Sequence, residues 1–157
     1  MALEIERKFL LRNESWRSQA THSVRLCQGY LTPNGGCKAS VRVRISATEA
    51  YLNLKSYVLG ISREEYEYPI PLADAEQILA NLTLGAVIIK ERFYVPHAEH
   101  LWEIDVFAGA NQGLVVAEVE LDHPDAPLTL PTWVGVEVSA DPRYYNVNLV
   151  GTPYAIW

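Results

Sequence analysis

Polar and apolar residues alternate with a period of two along most of this chain, and helical periodicity is confined to one stretch. The alternation begins at once: Glu4, Glu6 and Lys8 fall on one face, and Leu3, Ile5, Phe9 and Leu11 on the other, with Arg7 the exception. This predicts a β-strand. Val24 to Leu31 predicts another, with Leu26, Gln28 and Tyr30 sharing a face, followed by a turn over Thr32-Pro33-Asn34-Gly35-Gly36. Val41 to Ile45 sets Arg42 and Arg44 against three β-branched residues, and Tyr51 to Lys55 puts Asn53 and Lys55 on its polar side. Arg63 to Tyr68 brings Glu65 and Glu67 together before Pro69 and Pro71 end the run. Further on, Ile88 to Val95 aligns Lys90, Arg92 and Tyr94. Trp102 to Val106 aligns Glu103 with Asp105, and Val116 to Leu121 aligns Glu118 with Glu120. Trp133 to Val138 predicts a last short strand.

The helical stretch is Leu72 to Leu82, where Leu72, Ala75, Ile78, Leu79 and Leu82 form a stripe suited to packing on a sheet. Asp74 and Glu76 lie near its positive end. Asn13 to His22 reads as a loop or short helix, Pro96 to His100 as a hairpin loop, Ala108 to Gly113 as a loop, and Asp122 to Pro131 as irregular and proline-rich. Asp141 to Asn146 reads as a helix start with an early proline. No internal repeat, low-complexity stretch or linker interrupts the chain, so residues 1–157 are expected to form one domain.

Composition narrows the function classes. About half of the residues (49%) are hydrophobic, enough for a substantial core, and the net charge of −6 argues against a general nucleic-acid binder. No apolar run is long enough to span a bilayer, and the N-terminus lacks the basic-then-apolar pattern of a signal peptide. Cys27 and Cys37 lack zinc-site spacing and read as free thiols, which suits a cytoplasmic protein. His97 and His100 have no third ligand nearby in the sequence and read as surface.

The charges on the alternating faces are sorted by strand: beyond the first run, each is nearly all basic or all acidic. Six cations (Lys8, Arg42, Arg44, Lys55, Lys90, Arg92) and eight carboxylates (Glu4, Glu6, Glu65, Glu67, Glu103, Asp105, Glu118, Glu120) are dense for a face that only meets water. One sheet with a wet face is the plain reading. The alternative is a mainly β (α+β) fold, a closed antiparallel β-barrel with the charged face inward and the apolar face turned outward against helices and loops. Dry, unpaired charge inside a barrel costs several kcal/mol even after relaxation, so such a lumen must be wet, cross-paired or filled. The cations suit a polyanion, arginines as forks and lysines as point charges. The carboxylates suit Mg²⁺ or Mn²⁺ bridging that polyanion's oxygens, which together describe a polyphosphate chain. No GxxxxGK(S/T) loop is present, which excludes a P-loop phosphate site.

Glu4-Ile5-Glu6-Arg7-Lys8 resembles the ExExK signature of the CYTH superfamily, the triphosphate tunnel metalloenzymes. Arg42-x-Arg44, Lys55, Glu65-x-Glu67, Lys90-x-Arg92, Glu103-x-Asp105 and Glu118-x-Glu120 follow in the family's order over nearly the whole chain. The resemblance implies a tunnel of about eight antiparallel strands with a few flanking helices, acting on a triphosphate group. The short bacterial members that this chain resembles are typically inorganic tripolyphosphatases, which implies hydrolysis of tripolyphosphate to pyrophosphate and phosphate. The metal ligands implied are Glu4, Glu6, Glu118 and Glu120, with Asp105 a further candidate; Lys8, Arg42, Arg44, Lys90 and Arg92 would bind phosphate. A lysine–tyrosine pair implicated in the family's catalysis maps to Lys55 and Tyr30, the lysine lowering the tyrosine pKa so that it can help activate water. Asn53, Glu65, Glu67 and Glu103 would complete the lining. The alternatives are a nucleoside or thiamine triphosphatase, a class IV adenylyl cyclase on the same fold, or a non-catalytic polyphosphate-binding module. The partners expected are a small-molecule polyphosphate, with no nucleic acid and no membrane; a homodimer is left open. The segment after Tyr145 is too short and weakly apolar to predict how that end of the tunnel closes.

Overall fold

The computed structural model describes residues 3–33, 35–58 and 60–157, so Met1, Ala2, Leu59 and Asn34 of the expected turn lie outside the described residues. Eight strands close into a ring: β1 (Leu3–Leu11), β5 (Ser62–Ile70), β4 (Glu49–Ser56), β3 (Ala39–Ser46), β2 (His22–Tyr30), β6 (Ile88–His97), β7 (His100–Phe107) and β8 (Val115–Glu120), with β8 returning to β1. Every pairing is antiparallel. An eight-stranded barrel is just wide enough for side chains to fill, so residues on opposite walls meet across it.

β1 is the keystone. One of its edges lies wholly along β8, with Glu6 opposite Glu120, Lys8 opposite Glu118 and Leu10 opposite Val116. The other edge is shared. Its first part closes the barrel on β5 through Leu3–Glu64, Glu4–Arg63 and Ile5–Ser62. Its last part takes a ninth strand, β9 (Val134–Glu137), with Phe9 opposite Glu137. The pairing with β1 runs only from Ser62 to Glu64, so among the described residues the far part of β5 has a free edge. That explains one departure from the sequence reading: β5 runs on through Pro69 to Ile70 rather than ending there, since a residue without an N–H is tolerated at an unpaired edge. The β6–β7 hairpin is also longer than expected, with Pro96–Leu101 and His97–His100 paired and only Ala98 and Glu99 left for the turn.

The outward apolar positions are covered by three different devices. α1 (Leu72–Asn81) lies over β3 and β4, packing its stripe on Val43, Ala50, Ile45 and Leu52. The C-terminal end of α1 also rests on β2 at Gly29, where a Cβ would lie 2.4 Å from the Thr83 methyl. A short 3-10 helix (Ser15–Gln19) and a loop cover the other side. A strap carrying Trp16 and the proline-rich segment leading to Trp133 cover Ile5, Phe9, Trp102, Ile104 and Val119. The rings interlock at angles, Trp102–Trp133 at 5.4 Å and Trp16–Phe93 at 5.1 Å, a geometry that the aromatic quadrupole favours.

The third cluster closes one end of the lumen. The inward alternation of five strands, β1, β2, β6, β7 and β8, continues there with Leu10, Tyr30, Ile88, Phe107 and Val116, and these pack on Val138, Tyr144 and Leu149 from the C-terminal segment. α2 (Asn146–Gly151) is only six residues long, yet Leu149 is 1% exposed. The short C-terminal helix thus seals this end of the barrel. Cys27 and Cys37 are free thiols, and no helix among the described residues is long and apolar enough to cross a membrane.

Candidate active site

The charged part of the lumen encloses a cavity of about 210 Å³. Glu4, Glu6, Lys8, Tyr30, Arg42, Arg44, Asn53, Lys55, Glu65, Glu67, Lys90, Arg92, Glu103, Glu118 and Glu120 all line it. Of the residues expected from the sequence, only Asp105 does not. It is 0% exposed, and both of its oxygens are taken: Arg92 Nε donates to Oδ1 at 2.8 Å, Arg92 Nη2 to Oδ2 at 2.9 Å, and Lys90 Nζ to Oδ2 at 2.6 Å. Asp105 shares the inward face with Glu103 but sits beneath the cations, where it buttresses Arg92 and Lys90.

The ring order separates the charges into two walls. The contiguous strands β3, β2 and β6 carry Arg42, Arg44, Lys90 and Arg92, and the opposite set β8, β1 and β5 carries Glu118, Glu120, Glu4, Glu6, Glu65 and Glu67. Cross-strand register then pairs cations with carboxylates, within the acidic wall for Lys8 and at the borders between the walls for Lys55 and Arg92. Lys8 Nζ bonds Glu118 at 2.8 Å and Glu6 at 3.0 Å. Lys55 Nζ bonds Glu4 at 2.9 Å and lies 3.3 Å from Glu65. Arg92 reaches Glu103 at 2.7 Å, and the Asn53 amide donates to Glu65 and Glu67. On the basic wall, Arg42 and Arg44 have no carboxylate within ion-pair distance among the described residues. Arg44 Nε instead donates to the neutral amide of Gln28 at 3.0 Å, and the buried Arg42 Nε has no partner at all.

This burial moves proton affinities. Burial lowers Arg44 to about 10, helped by neighbouring Arg42 and Arg92. Burial also lowers Lys90 to about 7; the Asp105 charge opposes this, but Asp105 is shared with Arg92, which itself pushes Lys90 down. Lys8 is buried too, yet the adjacent Glu118 and Glu6 more than offset the desolvation and raise it. For Glu118 the same contest ends well below the usual carboxylate range, because Lys8 and Arg92 outweigh burial.

On the acidic wall the register sets like charges face to face, Glu6 opposite Glu120 and Glu103 opposite Glu118. Such pairs are destabilising when left alone. Burial and the charges of Glu4, Glu6 and Glu65 raise Glu120; burial and Glu118 raise Glu103. Hard oxygen donors in surplus fit a divalent cation. The fit is one of donor chemistry. Among the described residues no three acidic, histidine or cysteine side chains stand ready as a cluster, because Lys8, Lys55 and Arg63 hold their oxygens.

Tyr30 and Lys55 both face the cavity but do not form the expected pair. Tyr30 lies opposite Arg42, Arg42 lies opposite Asn53, and Lys55 is two residues further along β4. That register separates them by about 10 Å across the strands and about 7 Å along them. The Tyr30 hydroxyl is 3.5 Å from Gln28 Nε2, while Lys55 is held by Glu4. The sequence reading also passed over Arg63, Gln28, Ser40 and Asn146. Arg63 lies two residues before Glu65, so the same alternation could have found it; Gln28 was placed on the Tyr30 face but carries no charge to mark it. Nothing in strand periodicity points to Asn146, which enters from α2.

Residues 2–146 match the CYTH domain family. The chain is 44% identical over 154 residues to an inorganic triphosphatase of Acetivibrio thermocellus, covering 98% of this chain and 97% of that one. It is 40% identical over 151 residues to an inorganic triphosphatase of Nitrosomonas europaea, covering 93% and 95%. A crystal structure of an inorganic triphosphatase with 36% identity superposes with a TM-score of 0.68 over 96% of this chain and 95% of that one. A Pyrococcus horikoshii protein at 16% identity shares the fold alone, with a TM-score of 0.59 over 78% and 81%.

Proposed function

We propose that this protein, which belongs to the CYTH family, hydrolyses inorganic tripolyphosphate to pyrophosphate and phosphate with a divalent cation, Mg²⁺ or Mn²⁺. The observation that carries the reading is the opposition of a basic and an acidic wall inside one cavity sealed at one end. A phosphate chain lies against the first wall, and its counter-cation against the second.

Arg42 and Arg44 are the anchoring residues, since no carboxylate competes for them. Lys90 and Arg92 extend the same wall. Lys8 sits within the acidic wall and Lys55 at its border, and phosphate drawing them inward frees oxygens of Glu4, Glu6 and Glu118. Those three and Glu120 are the proposed metal ligands. The cation, when bound there, would withdraw charge from phosphate oxygens and ease attack at phosphorus. Water supplies the oxygen that forms the new P–O bond as a P–O–P bridge breaks. Lys55 and Tyr30 are the proposed catalytic residues, acting from separate walls: Lys55 on the acidic side, where it orients water and neutralises charge at the attacked phosphate, and Tyr30 as a hydroxyl donor to a phosphate oxygen at the sealed end. Positioning and charge stabilisation carry most of the rate, as in phosphoryl transfer generally.

The test is a substrate panel of tripolyphosphate, ATP and thiamine triphosphate with Mg²⁺ or Mn²⁺, assayed for phosphate, pyrophosphate and cyclic AMP. Release of equal amounts of phosphate and pyrophosphate from tripolyphosphate, with higher kcat/KM than for either organic substrate, is expected. Tight binding without turnover would instead establish a binding module, and preference for ATP a nucleotide-directed enzyme.

A further inference from the structure

Five of the lumen's lysines and arginines, Lys8, Lys55, Arg63, Lys90 and Arg92, are ion-paired with carboxylates. A phosphate that binds them must compete with an existing negative charge. The basic wall also contains a different arrangement. Lys90 Nζ donates to Asn146 Oδ1 at 2.8 Å, Gln28 Nε2 donates to the same oxygen at 3.0 Å, and Gln28 Oε1 accepts from Arg44 Nε at 3.0 Å. Arg44, Gln28, Asn146 and Lys90 thus form one chain whose two middle members are neutral. Its direction is forced. Arginine has donors and no acceptor, so Gln28 must turn its oxygen to Arg44 and its nitrogen to Asn146, whose oxygen therefore faces Gln28 and Lys90.

We propose that Asn146 is a positioning residue for the polyphosphate site: its neutral carbonyl orients Lys90 alongside Asp105 and, through Gln28, orients Arg44, adding no negative charge to the basic wall. This inference rests on the hydrolase reading and extends it to the C-terminal helix. Asn146 is well supported for the task. Its neighbour Tyr145 donates its hydroxyl hydrogen to the Ser139 carbonyl at 2.8 Å and accepts from the Gly60 N–H at 3.3 Å. Three residues on, Leu149 is buried in the apolar seal. Asn146 opens α2 without using its side chain as a helix cap, so the amide is free to face the lumen. A carboxylate at this position would hold Lys90 equally well but would meet the substrate with like charge.

The experiment measures tripolyphosphate binding by calorimetry in EDTA, where no metal-dependent turnover occurs, alongside kcat, KM and Tm. Asn146→Ala is expected to raise Kd and KM about tenfold, the size of one lost hydrogen bond to a charged group, with kcat near wild type and Tm lowered by a few degrees. Asn146→Asp keeps both acceptor contacts and is expected to bind more weakly than Asn146→Ala. In a Lys90→Met background, Asn146→Ala is expected to lose much less than it does alone, because the residue it orients is gone. Gln28→Met cuts the chain at its other member and provides a second variant should Asn146→Ala fold poorly. An Asn146→Ala protein with unchanged Kd, or losses that multiply fully with Lys90→Met, overturns this assignment and leaves the hydrolase reading standing. A wild-type protein that neither binds nor hydrolyses tripolyphosphate overturns both.

Discussion

Asp105 grips Arg92 with both of its oxygens, at 2.8 and 2.9 Å, in a place where the carboxylate has no contact with water. Arg92 lies directly opposite it on β6, so the fork is set by strand register. Lys90 joins the same carboxylate from the position two residues earlier. One negative charge therefore steers two phosphate-facing cations from underneath. Asp105→Asn would leave both beside a neutral amide. Breaking a buried pair from one side costs about 3–5 kcal/mol, or a fall in Tm on the order of 10 °C for a chain of this size. Thermal unfolding of the metal-free variant measures it. A direct metal ligand would behave differently, leaving metal-free stability near wild type and lowering metal affinity alone.

Arg42 should show the opposite sign. Its Nε is buried without a hydrogen-bond partner, and an unsatisfied buried donor costs about 1–3 kcal/mol. Replacing it with Met removes that penalty and the repulsion between Arg42 and Arg44. The urea midpoint of Arg42→Met is expected to equal or exceed that of wild type, while Kd for tripolyphosphate weakens at least about tenfold. If stability and affinity fell together, Arg42 would be a structural residue and the anchoring role would go elsewhere.

Lys90 predicts a proton signal on binding. Burial lowers it to about 7, with Arg92 adding to the shift against the pull of Asp105. A buried ammonium with lowered pKa is mostly neutral above that value in the empty protein. A polyanion favours the charged form and raises the pKa. Between the two values, binding must therefore take up protons, and affinity must fall as pH rises through the neutral range. Calorimetric titration with tripolyphosphate near about pH 8, repeated in buffers of different ionisation enthalpy, should show net uptake that disappears in Lys90→Met. Proton release, or uptake unchanged in the variant, rules this out.

The contrast between Asp105 and Asn146 explains how far the sequence could be read. A strand's inward face is written as a period of two, so most charges of the lumen were legible from Glu4 to Glu120, while the order of their strands around the ring was not. Depth along that face is not written. Glu103 and Asp105 look alike in sequence, yet one lines the cavity and the other lies below Arg92. Register is not written either: the resemblance implied a Tyr30–Lys55 pair, and the strands alone could not show that Arg42 and Asn53 stand between them. Amides leave no charge pattern, and Asn146 reaches Lys90 across 56 positions from a helix. The apolar seal was present in the alternation all along: Leu10, Ile88, Phe107 and Val116 occupy inward positions, but a hydrophobic residue in a strand gives no sign of which side of the barrel it closes.

The acidic wall leads to a prediction about metal and pH. Glu120 stands opposite Glu6, and its pKa is raised by burial and by Glu4, Glu6 and Glu65. A carboxylate with a raised pKa keeps its proton to higher pH than usual, so a cation that needs the ionised form must displace that proton. Metal affinity should therefore fall on acidification and do so before ordinary surface carboxylates titrate. Mn²⁺ added without substrate should raise Tm in proportion to RT ln(1 + [Mn²⁺]/Kd) at neutral pH, and by clearly less near about pH 5. Glu120→Gln relieves the face-to-face repulsion, so the metal-free variant should be at least as stable as wild type while the Mn²⁺-dependent gain shrinks. A gain that survives both acidification and Glu120→Gln would place the cation away from the β1–β8 wall.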